Sequence, residues 1–71
     1  MKEYTVIYEQ AGNNYSAYVP DLPGCVTTGA TLEETQANMR EAIELYIEAL
    51  QEDGKPVPEP TTKAGPISVA A

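Results

Sequence analysis

The residue types that most often carry out chemistry are scarce in this chain of 71 residues. It has no histidine and one cysteine, Cys25, so neither a Ser–His nor a Cys–His catalytic pair can form. One cysteine also falls short of the several Cys or His ligands that a zinc site requires. Cys25 is most simply interpreted as a small apolar residue in a strand. The sequence therefore predicts a protein that is not an enzyme and that uses no metal or cofactor.

The segment Gly24–Thr31 has the spacing of a phosphate-binding P-loop. Ala30, however, occupies the position where a lysine would reach the phosphates, and the loop interior has the composition of a strand. The formal net charge is −7, from eleven acidic and four basic residues, and such a surface repels nucleic acid and anionic membranes. We interpret the spacing as coincidence and expect no direct contact with nucleic acid or membrane.

The chain is rich in acidic side chains, and several of them recur at the spacing of one helix face. Like charges four residues apart on an exposed helix are unfavourable, and so are anions at a helix C-terminus. The sequence violates both of these rules by placing negative charge on the helix, which favours a surface that binds a basic partner. The alternative is a solvated face that aids solubility. This acidic stripe comprises Glu41, Glu44, Glu48 and Glu52, with Leu45 at its edge as an apolar anchor.

The loop Pro20–Gly24 is a second candidate for partner binding. Two prolines bracket an acid and a leucine, which lowers the entropy cost of ordering the loop on binding. In this interpretation Asp21, Leu22 and Pro23 are presented to a partner. The alternative is a tight connection between strands, with Asp21 bonded to its own backbone.

One long helix, predicted over Thr31–Gly54, must position the acidic stripe. Thr31 and Glu34 have the spacing of a capping box, which marks a helix start. Gly54 and the proline at position 56 end the helix. The predicted core face comprises Leu32, Met39, Ile43, Tyr46 and Leu50, because these residues fall within one sector of a helix.

The rest of the chain is predicted to form short strands. The segments Tyr4–Glu9 and Tyr15–Val19 are rich in β-branched and aromatic residues, and Ala11–Asn14 between them has turn chemistry, so they predict a hairpin. Cys25–Thr28 predicts a third strand. Pro66–Val69 predicts a short last strand, with its proline at a position that an edge strand tolerates.

These elements predict an α+β fold of order β-β-β-α-β, in which one helix covers one face of a small sheet. We expect a single domain over residues 1–71, with its core in 1–54 and a Pro-rich tail at 55–71. Because a chain this short buries only ~60% of its unfolded surface, we expect a homo-oligomer, a dimer or tetramer. The second sheet face is then either a self-association surface or a wet, Tyr-covered face.

Nothing in the sequence directs the chain to a membrane. No apolar run is long enough to span a bilayer, and the first residues do not begin a signal peptide. With a lone cysteine, these features predict a cytoplasmic protein.

Four motifs closely resemble the HicB family of antitoxins. The resemblance implies a partial, degenerate ribonuclease H-like fold of the same element order. It also implies a partner, the HicA toxin, which is a small, basic, RNA-cleaving protein with a double-stranded-RNA-binding-like fold and a catalytic histidine. The antitoxin blocks the RNA surface or active site of that toxin, and an acidic stripe suits this role. The motifs are YSAYVPDLPGCV at 15–26, GATLEE at 29–34, AIELY at 42–46 and GKPVPEP at 54–60.

The chain departs from the family in one respect. Many members carry a C-terminal DNA-binding domain, and residues 61–71 are too few for one, so the resemblance implies a short form that does not bind DNA itself. Two alternatives stand beside the antitoxin role. One is an orphan regulatory oligomer that has kept the fold without a toxin. The other is a metal-dependent nuclease using Asp21 and nearby glutamates, although nuclease chemistry needs several converging carboxylates around metal ions.

Overall fold

A computed structural model describes residues 1–71 as three strands followed by one helix. The elements are β1 (Ile7–Ala11), β2 (Asn14–Tyr18), β3 (Val26–Gly29) and α1 (Leu32–Glu52). The strands form one antiparallel sheet in the order β1-β2-β3. The predicted α+β class and the order β-β-β-α are confirmed.

A two-residue turn joins β1 to β2. Ala11 pairs with Asn14 across the turn and Ile7 pairs with Tyr18 at the far end. Gly12 has a φ of 61°, the left-handed conformation that a two-residue hairpin turn of this kind needs at its first central position. The ladder starts at Ile7 rather than at Tyr4 as predicted, because β2 ends before Pro20, which has no N–H to donate.

Local signals define both ends of α1. The Thr31 hydroxyl accepts a hydrogen bond from the Glu34 backbone N–H at 3.1 Å, which is one half of the predicted capping box. Gly54, with a φ of 68°, follows the last turn. The Lys55 N–H then donates to the Leu50 carbonyl at 2.9 Å, the backbone pattern of a Schellman motif.

The core lies between α1 and the inner faces of β2 and β3. Met39 is 1% exposed and packs with the buried residues of the sheet side, while Ile43 and Tyr46 pack at the edge of this cluster. A Cβ on Gly29 would lie 2.8 Å from the Thr35 backbone nitrogen, so glycine allows α1 to approach β3 closely. The buried apolar residues are Ala17, Val19, Leu22, Cys25 and Met39.

The predicted last strand at Pro66–Val69 is absent: no helix or strand follows α1. Side chains, not a backbone ladder, hold the segment after the helix. The Tyr4 hydroxyl donates to the Pro58 carbonyl, and the Thr5 hydroxyl donates to the Thr62 carbonyl at 2.8 Å. All residues after Thr62 are exposed, so this part of the chain has no neighbouring strand to pair with. The only helix, α1, is not apolar enough to cross a membrane.

Candidate partner-binding surfaces

The acidic stripe lies on the side of α1 that faces away from the core. Its four glutamates are exposed, and Leu45 is 58% exposed beside them. At ~100° per residue, the stripe is centred roughly opposite Met39 on the helix. The structure thus brings Leu45 and the glutamates onto one accessible surface, as predicted, and their binding role stays a prediction.

The charge of the protein is concentrated on this helix. Residues 33–53 contain seven acidic side chains and one basic side chain, Arg40. Their net charge is −6, out of −7 for the whole chain. The one ion pair of the chain, Lys2–Glu59 at 2.6 Å, lies elsewhere. No glutamate of the stripe is therefore neutralised by a neighbour within the chain.

Leu22 does not contact a partner in this fold. Its side chain is 0% exposed, and the surrounding loop is closed by backbone hydrogen bonds. The Val19 N–H donates to the Cys25 carbonyl at 3.1 Å, and the Cys25 N–H donates to the Leu22 carbonyl at 3.0 Å. This tight loop turns Leu22 into the core, so the prediction that the loop presents Leu22 is contradicted.

Asp21 binds the C-terminal segment. Its carboxylate accepts hydrogen bonds from the backbone N–H groups of Thr61 at 3.1 Å and Thr62 at 2.9 Å. It also accepts bonds from both threonine hydroxyls, at 3.0 and 2.9 Å. The Thr62 backbone N–H is the largest cause that lowers the pKa of Asp21 below its usual value of 3.8. We call this arrangement the Asp21 clamp. It engages neither a partner nor the loop's own backbone, so neither sequence interpretation of Asp21 described it.

Pro23 is the residue of the loop that stays accessible. It is exposed, and its carbonyl accepts a hydrogen bond from the Tyr46 hydroxyl at 2.8 Å. The loop is thus attached to α1 through Pro23 and to the C-terminal segment through Asp21. Such a loop is rigid enough to present the Pro23 ring without further ordering.

Cys25 has the environment of a core residue. It is 4% exposed, and its Sγ lies 3.9 Å from the Met39 Sδ. Burial raises the pKa of the Cys25 thiol, so the thiolate that would act as a nucleophile or metal ligand is disfavoured. No group of three or more His, Cys, Asp or Glu residues is placed to hold a metal ion.

An open groove beside α1 was not predicted. The helix packs on β2 and β3, and residues 4–8 beside it are only partly buried. The groove has a volume of about 1100 Å³. Its apolar lining includes Val6, Tyr8, Ile43 and Ile47, and its charged lining includes Arg40 and the stripe residues Glu44 and Glu48. The signal for it was Ile47, which lies one turn after Ile43 and outside the predicted core sector.

Taken together, these features describe a small α+β protein with a rigid scaffold, an accessible acidic helix and no assembled catalytic group. The family model of the HicB-like antitoxins of bacterial toxin–antitoxin systems matches residues 4–67. The chain belongs to this family, as its motifs predicted. HicB-like antitoxins are regulatory proteins without catalytic activity, and this protein is not an enzyme.

Relatives with known sequences agree with this membership. A UPF0150 protein of Synechocystis sp. is 43% identical over 67 residues, which cover 93% of this chain and 85% of that protein. Antitoxin HicB 2 of Photorhabdus laumondii is 32% identical over 73 residues, covering 96% of this chain and 52% of the relative. The chain thus spans about half the length of that antitoxin.

A solved structure has the same fold. It is a chain of a HicA3 and HicB3 toxin–antitoxin complex, with a TM-score of 0.72 and 32% sequence identity. The match covers 84% of this chain and 70% of the other.

Proposed function

We propose that this protein neutralises a small, basic, RNA-cleaving toxin of the HicA class. The acidic stripe of α1 binds the toxin and covers the surface that the toxin uses for RNA binding or catalysis. The observation that carries the proposal is the concentration of unpaired negative charge on α1 around the exposed Leu45. The similarity to a chain of a HicA3 and HicB3 toxin–antitoxin complex supports the same partner class.

Electrostatics explains why such a stripe suits such a partner. A protein that binds RNA presents cationic groups spaced to meet phosphates. Carboxylates on one helix face can occupy those groups, and complementary potentials accelerate association while excluding other partners. An antitoxin that matches the toxin's RNA surface therefore competes directly with the substrate.

The energy of the stripe alone is small. Each like-charged pair four residues apart costs ~0.2–0.5 kcal/mol on an exposed helix, and a cationic partner relieves that repulsion. A Kd of 1 nM corresponds to a binding free energy of about −12 kcal/mol. Relief of the repulsion between the glutamates is therefore too small to supply an affinity of that order. We assign the main apolar contact to Leu45, at the edge of the stripe, because a few anchor residues carry most of the binding energy of an interface. Pro23 is a second, separate contact surface.

The remaining parts of the proposal rest on the composition and the length of the chain. The protein acts in the cytoplasm as a homo-oligomer, makes no direct contact with nucleic acid or membrane, and uses no cofactor. It forms one domain, in which residues 58–62 are held to the core by side-chain hydrogen bonds.

The test measures affinity for a HicA-class toxin whose catalytic histidine has been replaced, so that both proteins can be purified. The variant Glu41→Lys/Glu44→Lys/Glu48→Lys reverses the stripe. The matched control, Glu3→Lys/Glu9→Lys/Glu59→Lys, changes the net charge equally outside α1. We expect the stripe variant to lose tenfold or more in Kd at low salt, about 1.4 kcal/mol, and the control to lose much less.

Two results would argue against the proposal. Equal losses in both variants would show that net charge, not the stripe, controls binding. Unchanged affinity in both would reject the stripe and leave Pro23 as the surface to vary next. Co-expression with the small basic protein encoded beside the gene gives a cellular readout. Rescue of growth with co-purification supports the antitoxin role, whereas neither result favours the orphan oligomer for that pair.

A further inference from the structure

We propose that the groove beside α1 is a second part of the toxin-binding surface, and that it accepts an apolar side chain of the toxin flanked by cationic ones. This inference rests on the proposed function and extends it from the acidic stripe to a concave, apolar site. The occupant of the groove is therefore a segment of a basic protein.

The groove and the acidic stripe form one continuous surface. Glu44 and Glu48 belong to the stripe and also line the groove. Each of them directly follows an isoleucine of the groove, Ile43 or Ile47. At ~100° per residue, each glutamate therefore lies slightly more than a quarter turn further round the helix than its isoleucine. A partner that pairs with these two glutamates reaches the edge of the groove.

The stripe by itself is too small to be a whole interface. A specific, stable interface contains about 20–30 residues and buries ~800 Å² on each partner, whereas the stripe and Leu45 together are five residues. Neighbouring surface must therefore contribute to the contact. The groove offers about 1100 Å³ of space beside apolar side chains, and their burial stabilises a complex more than exposed charge pairs do.

The groove is formed without a partner. Val57, from the segment after the helix, lines it together with α1 and the first residues of the chain. Two contacts hold that segment in place: the Tyr4 hydroxyl donates to the Pro58 carbonyl, and the Lys2 Nζ lies 2.6 Å from the Glu59 carboxylate. A preformed groove binds with little entropy cost of ordering.

The charges of the groove suit a cationic occupant. Lys2 also lines the groove, but it is already paired with Glu59. Since three of the four other charged side chains are acidic, complementary potentials favour a basic partner, whereas nucleic acid and anionic membranes are repelled. These four side chains are Glu3, Glu44, Glu48 and Arg40.

A second copy of this chain does not match these charges. Each copy has a net charge of −7 and four basic residues. Lys2 is paired and Arg40 lies in the groove itself, so only Lys55 and Lys63 remain. The last residues, 64–71, carry no charged side chain and would leave the carboxylates of the groove without cations. Charge complementarity therefore favours the toxin as the occupant.

The first experiment measures affinity for the HicA-class toxin whose catalytic histidine has been replaced. Ile47→Ser removes apolar surface from the groove without changing charge, and serine has a helix propensity similar to that of isoleucine. Ile47 is not among the residues that pack against the core cluster, so the variant should fold. We expect a five- to tenfold loss in affinity. Val26→Ser, at a site 66% exposed on the outer sheet face, is the control and should lose less than about twofold.

Salt dependence separates the groove from the stripe. The loss caused by Ile47→Ser should be the same at low and high salt, whereas the loss caused by reversing the stripe should shrink as its charges are screened. Affinity unchanged by Ile47→Ser, with the stripe variant still impaired, would overturn the groove and leave the antitoxin proposal standing. A loss in Ile47→Ser alone would keep the groove and reject the stripe. A natural chain that binds no HicA-class toxin would overturn both.

The second experiment maps the contact on the natural chain, so it does not depend on the folding of a variant. The methyl groups of Ile, Leu and Val are isotope-labelled, and unlabelled toxin is added. We expect the signals of Val6, Ile43 and Ile47 to shift together with that of Leu45, while that of Val26 stays unchanged. Shifts at Leu45 with an unaffected groove would overturn the groove as a toxin site.

Discussion

The outward faces of the helix and of the sheet differ sharply in charge. Residues 33–53 of the helix region carry −6 of the net charge of −7, whereas between Glu9 and Glu33 the only charged residue is Asp21. On the sheet, Ile7, Tyr18 and Val26 form one cross-strand row. The two faces are thus suited to different neighbours: the helix face to a cationic protein, the sheet side to water or to another uncharged surface.

The apolar row of the sheet is small. Tyr18 is 41% exposed and Val26 is 66% exposed, and isolated apolar residues of this kind are normal on monomeric proteins. The groove and the exposed Ile67 and Val69 offer more apolar surface in a shape that can be filled. The comparison teaches that the charge of this small scaffold is concentrated on its helix, while its sheet face is nearly uncharged.

The largest expected effect comes from removing the core that both faces share. Leu22→Ala should lower the free energy of unfolding by about 2–5 kcal/mol, because it leaves a cavity where the side chain was fully buried. Val26→Ala, at an exposed site, is the control and should change it by less than about 0.5 kcal/mol. Urea denaturation followed by circular dichroism measures both. Equal effects would mean that Leu22 is accessible, and would restore it as a partner contact.

A smaller loss is expected where α1 meets β3. In Gly29→Ala the added Cβ would lie 2.8 Å from the nitrogen and 3.0 Å from the Cα of Thr35. Because these are backbone atoms, α1 must shift, and overpacking of this kind costs about 1–3 kcal/mol. Gly65→Ala is the matched control, since nothing lies within 4 Å of its Cβ position. A Gly29→Ala protein as stable as the control would contradict the close approach of α1 to the sheet.

The Asp21 clamp predicts a pH dependence confined to the C-terminal segment. The pKa of Asp21 is lowered in the folded protein, so its contribution is present above the unfolded value and is lost as pH falls through the folded pKa. Asp21→Asn should therefore speed hydrogen exchange at the Thr61 and Thr62 amides at neutral pH. In the natural chain the same loosening should occur only in acid, below 3.8.

Nuclear magnetic resonance measures this exchange residue by residue, and Asp53→Asn, which removes an equal charge outside the clamp, is the control. Exchange at Thr62 that is unaffected by Asp21→Asn would show that the clamp does not hold the segment. Thr61 and Thr62 would then be held to the core by other contacts, such as the hydrogen bond from the Thr5 hydroxyl to the Thr62 carbonyl.

The smallest effect concerns the cost of the acidic stripe. Glu48→Gln removes two like-charged pairs, with Glu44 and with Glu52, each costing ~0.2–0.5 kcal/mol. It should raise the stability of the isolated protein by roughly 0.4–1 kcal/mol at low salt while weakening toxin binding. The gain should vanish at high salt, where exposed charges are screened. Thermal melts at two salt concentrations measure it, with Glu9→Gln as the control. A loss of stability would mean that Glu48 has a favourable partner within the fold.

Much of this architecture follows from short-range sequence patterns. Thr31 with Glu34, and Gly54 with the proline after it, predicted the ends of α1 to within two residues, because caps act on the nearest backbone groups. The turn at Gly12 predicted the hairpin for the same reason. The acidic stripe was also predictable, since helical periodicity alone decides which residues share a face. The family motifs added the protein class.

Only the tertiary structure decided what Leu22, Asp21 and the last segment do. Asp21 is hydrogen-bonded to Thr61 and Thr62, which lie 40 and 41 positions later in the sequence. No local pattern encodes such a pairing. Leu22 is buried because the loop closes over the core, although its flanking prolines are typical of an exposed loop. The strand predicted at Pro66–Val69 has the right residues for a strand, but a strand forms only beside another one. Local sequence determines propensity, whereas pairing, burial and the groove depend on where distant parts of the chain meet.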